Sequence, residues 1–274
     1  MTTNLVIGAT GNVGRHVVAE LRNAGEEVRA FARTIAAGID SVPGDLTEPD
    51  TLAKALDGVE TVFLLWRALP LDAAPPVVAA IAEAKHARRV VFLSSAAADG
   101  PVAALHHGIE ELIRATGLEW TFLRAAQFAA NTLEWVPQIR AGDVVRGAHG
   151  DVPTTLIHER DIAAVAVRAM TGDEHLGRRY VLTGPEIRTP AELVPVIGEV
   201  LGRDLRWDEG TVEEDRARML AWMPAAFVDA VLEDRARRTP PLHTTTVEEV
   251  TGAPARTYRE WVTEHIEAFA AATR

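Results

Sequence analysis

Through its first half the chain alternates short, wholly apolar runs with longer stretches whose apolar residues recur at helical spacing. Leu5-Val6-Ile7 is the first run. A glycine-rich turn follows, and then Val13, Val17, Val18 and Leu21 share one helical face up to Asn23-Ala24-Gly25, which reads as a helix end. Val28, Ala30 and Phe31 make a second strand ending at Arg33, and a weak third strand is expected near residues 39–42. Thr47 is the expected cap of a helix running to Gly58, with Pro49 and Asp50 in its first turn. Thr61 to Trp66 and Val90 to Leu93 are apolar on both faces, the pattern of parallel strands covered by helices on either side. Residues 72–87 and 104–116 read as helices, and 119–123 as the next strand. Strands and helices alternating in this way predict an α/β doubly wound parallel sheet with right-handed crossovers.

Beyond residue 130 the rhythm loosens. A helix is expected near 128–140, strands near 143–147 and 154–157, a helix over 161–170 and a strand over 178–183. Thr189-Pro190-Ala191-Glu192 is a capping box with proline at the first helical position, opening a helix to Gly202. Residues 211–238 are charged and helical, 239–256 read as a surface loop, and 258–270 as a last amphipathic helix burying Trp261, Ile266 and Phe269. The expected division is a nucleotide-binding domain over 1–130 and a smaller α+β lobe over 131–274, packed on the same core.

Composition narrows the function. The chain has 274 residues, 47% hydrophobic and 24% charged, as an ordinary globular protein has. It has no cysteine, which removes disulfides, zinc–thiolate sites, iron–sulfur clusters and thiol catalysis together. A formal net charge of -11 argues against nucleic acid and against anionic membrane surfaces. No run reaches the roughly 18 apolar residues of a membrane span, and the N-terminus lacks a basic targeting region, so a cytoplasmic protein is expected. No metal-ligand spacing and no G-x-S-x-G elbow is present.

The strongest chemical signal is Gly8-Ala9-Thr10-Gly11-Asn12-Val13-Gly14, set between the first strand and the first helix. Glycines there permit a tight turn and close backbone approach, and the helix start offers free N–H groups to a pyrophosphate. An NAD site usually places an acidic residue at the end of the second strand. Here that end reads Phe31-Ala32-Arg33-Thr34, and an arginine suits a 2′-phosphate, so NADP(H) is expected over NAD(H).

Gly8 to Gly14, Gly44-Asp45-Leu46 and Phe92-Leu93-Ser94-Ser95 resemble the atypical short-chain dehydrogenase/reductase superfamily, with its Rossmann sheet. His106-x-x-x-Glu110, followed by Thr116-Gly117-Leu118-Glu119-Trp120-Thr121-Phe122-Leu123-Arg124, is similar to the NmrA-like group within it. That group includes NADPH-dependent quinone and triphenylmethane dye reductases and redox-sensing regulators. The resemblance implies that Asp45 and Leu46 contact adenine, that Leu65, Trp66 and Arg67 line the cofactor, and that Ser94 and Ser95 lie near the nicotinamide. Phe128 and Asn131 match a family Phe and Asn near the acceptor, whereas Ala125 replaces the family's proline after the strand-six arginine.

A departure bears on the reaction. Typical superfamily members use a Tyr-x-x-x-Lys pair as acid and ribose clamp. This chain has only Tyr180 and Tyr258, with Gly184 and Val262 four residues later, so the pair cannot form. Counting back from Glu110 places His106 at the lysine position and Val102 at the tyrosine position. His106 is a candidate ribose ligand or acid, or a surface histidine paired with Glu110. Ser95 is the other catalytic candidate. His158 reads as a structural hydrogen-bonding residue. The six tryptophans do not cluster along the chain; Trp135, with Trp222 and Met223, is a candidate lining for an apolar acceptor pocket.

A quinone or extended dye is already electrophilic, so hydride transfer to it needs little acid catalysis. The expectation is an NADPH-dependent oxidoreductase acting on a small, flat, conjugated, apolar substrate, as a monomer or homodimer. Two alternatives remain open: a non-catalytic NADP(H)-binding redox sensor of NmrA type, and an isomerase or dehydratase that recycles bound NADP.

Overall fold

The computed structural model describes residues 3–34, 38–66, 69–97 and 99–270. In chain order the first half runs β1 (Thr3–Ile7), α1 (Gly14–Asn23), β2 (Glu27–Ala32), β3 (Asp40–Pro43), α2 (Pro49–Ala55), β4 (Val59–Leu65), a 3₁₀ turn (Leu71–Ala73), α3 (Ala74–Glu83), β5 (Arg89–Ser95), α4 (Pro101–Ala115) and β6 (Glu119–Ala125). Then follow β7 (Gln127–Phe128), a 3₁₀ segment (Ala129–Trp135), α5 (Val136–Ala141), β8 (Val144–Gly147), β9 (Thr154–Ile157), α6 (Glu159–Thr171), a 3₁₀ turn (Asp173–His175) and β10 (Arg178–Leu182). The chain ends with β11 (Ile187–Arg188), α7 (Pro190–Leu201), β12 (Arg206–Glu209), α8 (Val212–Met219), α9 (Ala225–Ala236), α10 (Thr246–Thr251), α11 (Tyr258–Glu264) and α12 (Ile266–Phe269).

Seven strands form one parallel sheet in the order β10-β6-β5-β4-β1-β2-β3. The alternation of side chains along each strand decides its two faces. Leu5, Ile7, Val62, Leu64, Val90 and Phe92 pack toward α2, α3 and α4. Val6, Phe63, Val91 and Leu93 pack the opposite way, against α1 and α6. Each such large apolar side chain contributes about 1.5–3 kcal/mol on burial. This is the doubly wound sheet read from the apolar runs, with a smaller C-terminal part that has its own sheets and core. β7 and β11 flank β9, β8 pairs with β12, and Trp135, Val145, Ile197, Trp261 and Phe269 share a third cluster.

The chain returns to the large sheet from beyond residue 131. β10 is its seventh strand, and α6 packs on α1. Arg89 explains part of this return. It is buried at the start of β5, and its guanidinium donates to the carbonyls of Met170 (3.2 Å) and Gly172 (3.1 Å) and to Glu119 (3.1 Å), and pairs with Asp173. The C-terminal helices dock through Trp261, whose indole N–H donates to the buried Glu159 carboxylate at 2.9 Å, and through Arg256, whose N–H donates to Asp161 at 2.8 Å.

Several local expectations are corrected. Thr47 does not cap α2, because its N–H and hydroxyl both donate to the Asp45 carboxylate at 3.0 Å; Glu48 occupies the cap position. The helix expected over 72–87 starts with a 3₁₀ turn and stops at Glu83, where Ala84 becomes extended. The region 239–256 contains α10, and the last helix breaks at His265 into α11 and α12. The capping box at Thr189 is present as read, with left-handed Gly202 closing α7. Among the described residues no helix is long and apolar enough to cross a membrane.

Candidate active site

The carboxyl ends of β1, β2, β4, β5 and β6 form the edge where the sequence signals converge. The turn after β1 is anchored by the Gly8 N–H, which donates to the Phe31 carbonyl at 2.9 Å, and the Gly11 N–H closes on the Gly8 carbonyl at 2.9 Å. Gly8 has φ +76°, a conformation costly for a side chain. A Cβ at Gly14 would overlap the Gly8 carbonyl oxygen and stand 2.7 Å from its carbon, so helix α1 starts flush against the turn only because residue 14 is glycine. Thr10, Gly11 and Asn12 are exposed, while the Val13 side chain is buried in the core. The N–H groups of Arg15, His16 and Val17 are taken by the Gly11 and Val13 carbonyls at 3.2, 2.9 and 3.1 Å, so the N–H groups a phosphate could meet are those just ahead of them, up to Gly14. That cradle fits a dinucleotide pyrophosphate.

Because Gly8 is tied to Phe31, the residues after β2 border the same turn. Arg33 is there, with its side chain 79% exposed and Nε 4.0 Å from an Asp45 carboxylate oxygen. Asp45 is held by Thr47, and Leu46 is buried beside Phe31 in the core. Leu65, at the end of β4, packs directly over Gly8. Trp66 turns inward: it is buried, and its indole N–H donates to the Leu69 carbonyl at 2.9 Å. Arg67 lies outside the described residues.

At the ends of β5 and β6, Ser94 and Arg124 stand opposite each other in register. Both are bound to Glu110, a buried carboxylate on α4. Ser94 Oγ donates to Oε1 at 2.6 Å, and Arg124 donates from Nε (2.9 Å) and Nη2 (2.6 Å). This pairing raises the pKa of Arg124. Glu110 is therefore committed to these two strands rather than to His106. The sequence reading missed the network, although two polar residues closing adjacent buried strands were a signal that a buried partner existed. Ser95 Oγ accepts the Ala97 N–H at 3.2 Å.

His106 lies against Phe92, with ring centroids 6.1 Å apart, and its Nδ1 is 2.9 Å from the Val102 carbonyl. A carbonyl only accepts, so Nδ1 carries the proton and Nε2 is left as an acceptor. Burial lowers the His106 pKa, which keeps the ring neutral at pH 7. The ring as placed offers a lone pair, not a proton. His158 caps α6 by accepting the Arg160 N–H at 3.1 Å, and burial pulls its pKa down to about 4.

Phe128 is half-buried between two core clusters, and Asn131 is exposed on the 3₁₀ segment after it. Trp135, expected as a pocket lining, is buried. The turn of that segment points it into the core, 7% exposed, edge-on to Trp207 with centroids 5.8 Å apart. Two tryptophans distant in sequence thus meet. Trp222 is exposed at the surface of the helical hairpin.

A family model described as NAD(P)H-binding matches residues 8–173. The chain belongs to this NAD(P)H-binding family. It is 40% identical over 280 residues, covering 97% of this chain and 99% of the relative, to the (4-alkanoyl-5-oxo-2,5-dihydrofuran-3-yl)methyl phosphate reductase of Streptomyces griseus. It is 34% identical to the NAD(P)H azoreductase of Xenophilus azovorans, covering 98% of this chain and 99% of that one. The fold is shared with an Escherichia coli NADPH-dependent quinone oxidoreductase crystallised with NADPH. That similarity has a TM-score of 0.80 and 23% identity, covering 96% of this chain and 99% of that one. The resemblance read from the sequence motifs thus stands at the level of the family.

Proposed function

We propose that the protein is a reductase that binds NADPH in preference to NADH and passes hydride to a flat, conjugated, apolar acceptor such as a quinone or an alkanoyl-substituted unsaturated lactone. The observation that carries this reading is the glycine turn, on which α1 starts so closely that a Cβ at residue 14 would strike the Gly8 carbonyl, with an exposed arginine at the neighbouring strand end. In this reading the pyrophosphate rests on the segment Gly11 to Gly14, with the Gly11 N–H closing the turn on Gly8 and with Gly8, Thr10, Asn12 and Val13 shaping it. Arg33 takes the 2′-phosphate, Asp45 and Leu46 border the adenine, and Leu65, Trp66 and Arg67 back the bound cofactor. Ser94, Ser95 and His106 border the nicotinamide end, and Phe128 and Asn131 the acceptor. Residues 1–130 hold most of the dinucleotide, and 131–274 cover the acceptor.

Bound there, a reduced nicotinamide supplies a hydride. Both near-full-length relatives are named for reducing a conjugated group, an azo bond in one and an alkanoyl dihydrofuranone in the other. Such acceptors delocalise the incoming electron pair, which suits a site without a tyrosine–lysine pair. The test is NADPH oxidation against a panel of quinones, an azo dye, an alkanoyl butenolide phosphate and a simple saturated ketone. The reading expects turnover with the conjugated acceptors and little with the ketone. Tight NADPH binding without turnover on the whole panel would favour the redox sensor. Substrate conversion with no net NADPH loss would favour the isomerase or dehydratase.

A further inference from the structure

The first turn of α6 ties down the C-terminal helices. Three consecutive side chains there each reach one residue of the C-terminal segment. Glu159, wholly buried, accepts the Trp261 indole N–H at 2.9 Å. Arg160 donates from Nη1 to the two Glu264 oxygens at 3.1 and 3.2 Å. Asp161 accepts the Arg256 N–H at 2.8 Å and pairs with its guanidinium. Trp261 and Phe269 belong to the third apolar cluster, so these contacts hold the C-terminal side of that cluster in place.

The residue that caps this turn is a histidine. His158 is 1% exposed, and its Nδ1 accepts the Arg160 N–H at 3.1 Å, so it caps only through a lone pair. Nε2 then carries the proton. That atom is buried 3.4 Å from Glu264 Oε2 and makes no hydrogen bond among the described residues. A second proton has no place in this arrangement. It would set Nδ1–H against the Arg160 N–H and put a positive charge on the positive end of the α6 dipole. Asparagine or serine at this position would cap the helix without responding to acid.

We propose that His158 is a proton-operated latch: in acid a second proton on its ring uncaps α6, loosens Glu159 to Asp161 and releases α11 and α12 while the large sheet stays folded. Release exposes Trp261 and Phe269, both now buried. Burial pulls the His158 pKa down to about 4; Glu264 opposes the shift, and Arg256, His265 and Arg160 add to it. Glu260 is within electrostatic reach of the ring, and His16 of α1 is within reach of Arg160, Glu264 and His265. A histidine in water takes its proton near about 6.5. Proton uptake therefore favours the open form as pH falls from there toward 4. Asp161 works in the same direction: burial raises its pKa against the pull of Arg256, and protonation weakens that pair.

The test is hydrogen exchange, read by mass spectrometry, on the native protein and on H158N at pH 7 and pH 4.5, with rates corrected for the intrinsic effect of pH. In the native protein, residues 158–162 and 256–269 should lose protection about tenfold or more on acidification, while β4 and β5 keep theirs. H158N caps through an amide oxygen that takes no proton. It should match the native protein at pH 7 and keep most of its protection at pH 4.5. An equal loss in H158N would overturn the proposal and leave the carboxylates as the acid-sensitive groups. A loss shared evenly by β4 and β5 would overturn it as ordinary acid unfolding. A second readout needs no variant: imidazole ¹⁵N NMR should find the His158 proton on Nε2 at pH 7, and its titration should coincide with the loss of protection. A ring that takes its second proton while α11 and α12 stay protected would overturn the proposal.

Discussion

Replacing Glu110 with glutamine probes the network that closes β5, β6 and α4. The carboxylate is 2% exposed and takes three donors on two oxygens, from Ser94 and twice from Arg124. An amide keeps one acceptor oxygen and turns an NH₂ toward a donor, either Ser94 or the guanidinium. A hydrogen bond to a charged group contributes about 1.5–3 kcal/mol, and an ion pair broken in the interior costs about 3–5 kcal/mol. The Arg124 side chain is 26% exposed, so water takes up part of its charge. The expected loss is about 3 kcal/mol, a fall in Tm of roughly 6–12 °C for a chain of this size. Differential scanning calorimetry and urea midpoints measure it. The pair E110L/R124M, which removes both charges, should recover much of the loss relative to E110L alone, because no charge is then left unpaired. A fall in Tm below about 2 °C for E110Q, or strictly additive single changes, would refute the reasoning.

Three further outcomes are expected. Gly14→Ala should abolish detectable NADPH binding by calorimetry and lower Tm, since its Cβ meets backbone that cannot move aside; an unchanged affinity would contradict the cradle. Arg33→Ala should weaken NADPH binding about tenfold or more and leave NADH nearly untouched; equal losses would remove Arg33 from the 2′-phosphate. Stability should fall in acid, because burial holds His16 and His158 at about 4, below the ordinary 6.5. Between those values the unfolded chain binds more protons, so the stabilisation is complete above about pH 6.5 and is lost as pH drops toward 4. His16→Gln should flatten that part of the Tm–pH curve; an unaltered slope would argue against His16 as a contributor.

The fold was legible where one physical signal dominated. Runs such as Val90 to Leu93, apolar on both faces, have no stable place except a covered parallel strand. The glycines at 8 and 14 could be read because only they allow the turn and the close helix start. Legibility failed where the answer lay in distant partners. Nothing local to Trp135 marked it as core, because its burial depends on meeting Trp207, which arrives on β12. Thr47 looked like a cap until Asp45 was seen to hold its hydroxyl. Glu110 was read against its helical neighbour His106, whereas strand register brings it Ser94 and Arg124.

The central claim is that the edge beyond β1 and β2 is a nicotinamide dinucleotide site selective for the 2′-phosphate. Its most direct test is a calorimetric titration of the native protein with NADPH and then with NADH. One NADPH should bind per chain, at least about tenfold more tightly than NADH. Absence of binding for both cofactors would contradict it and leave the glycine turn as structure alone.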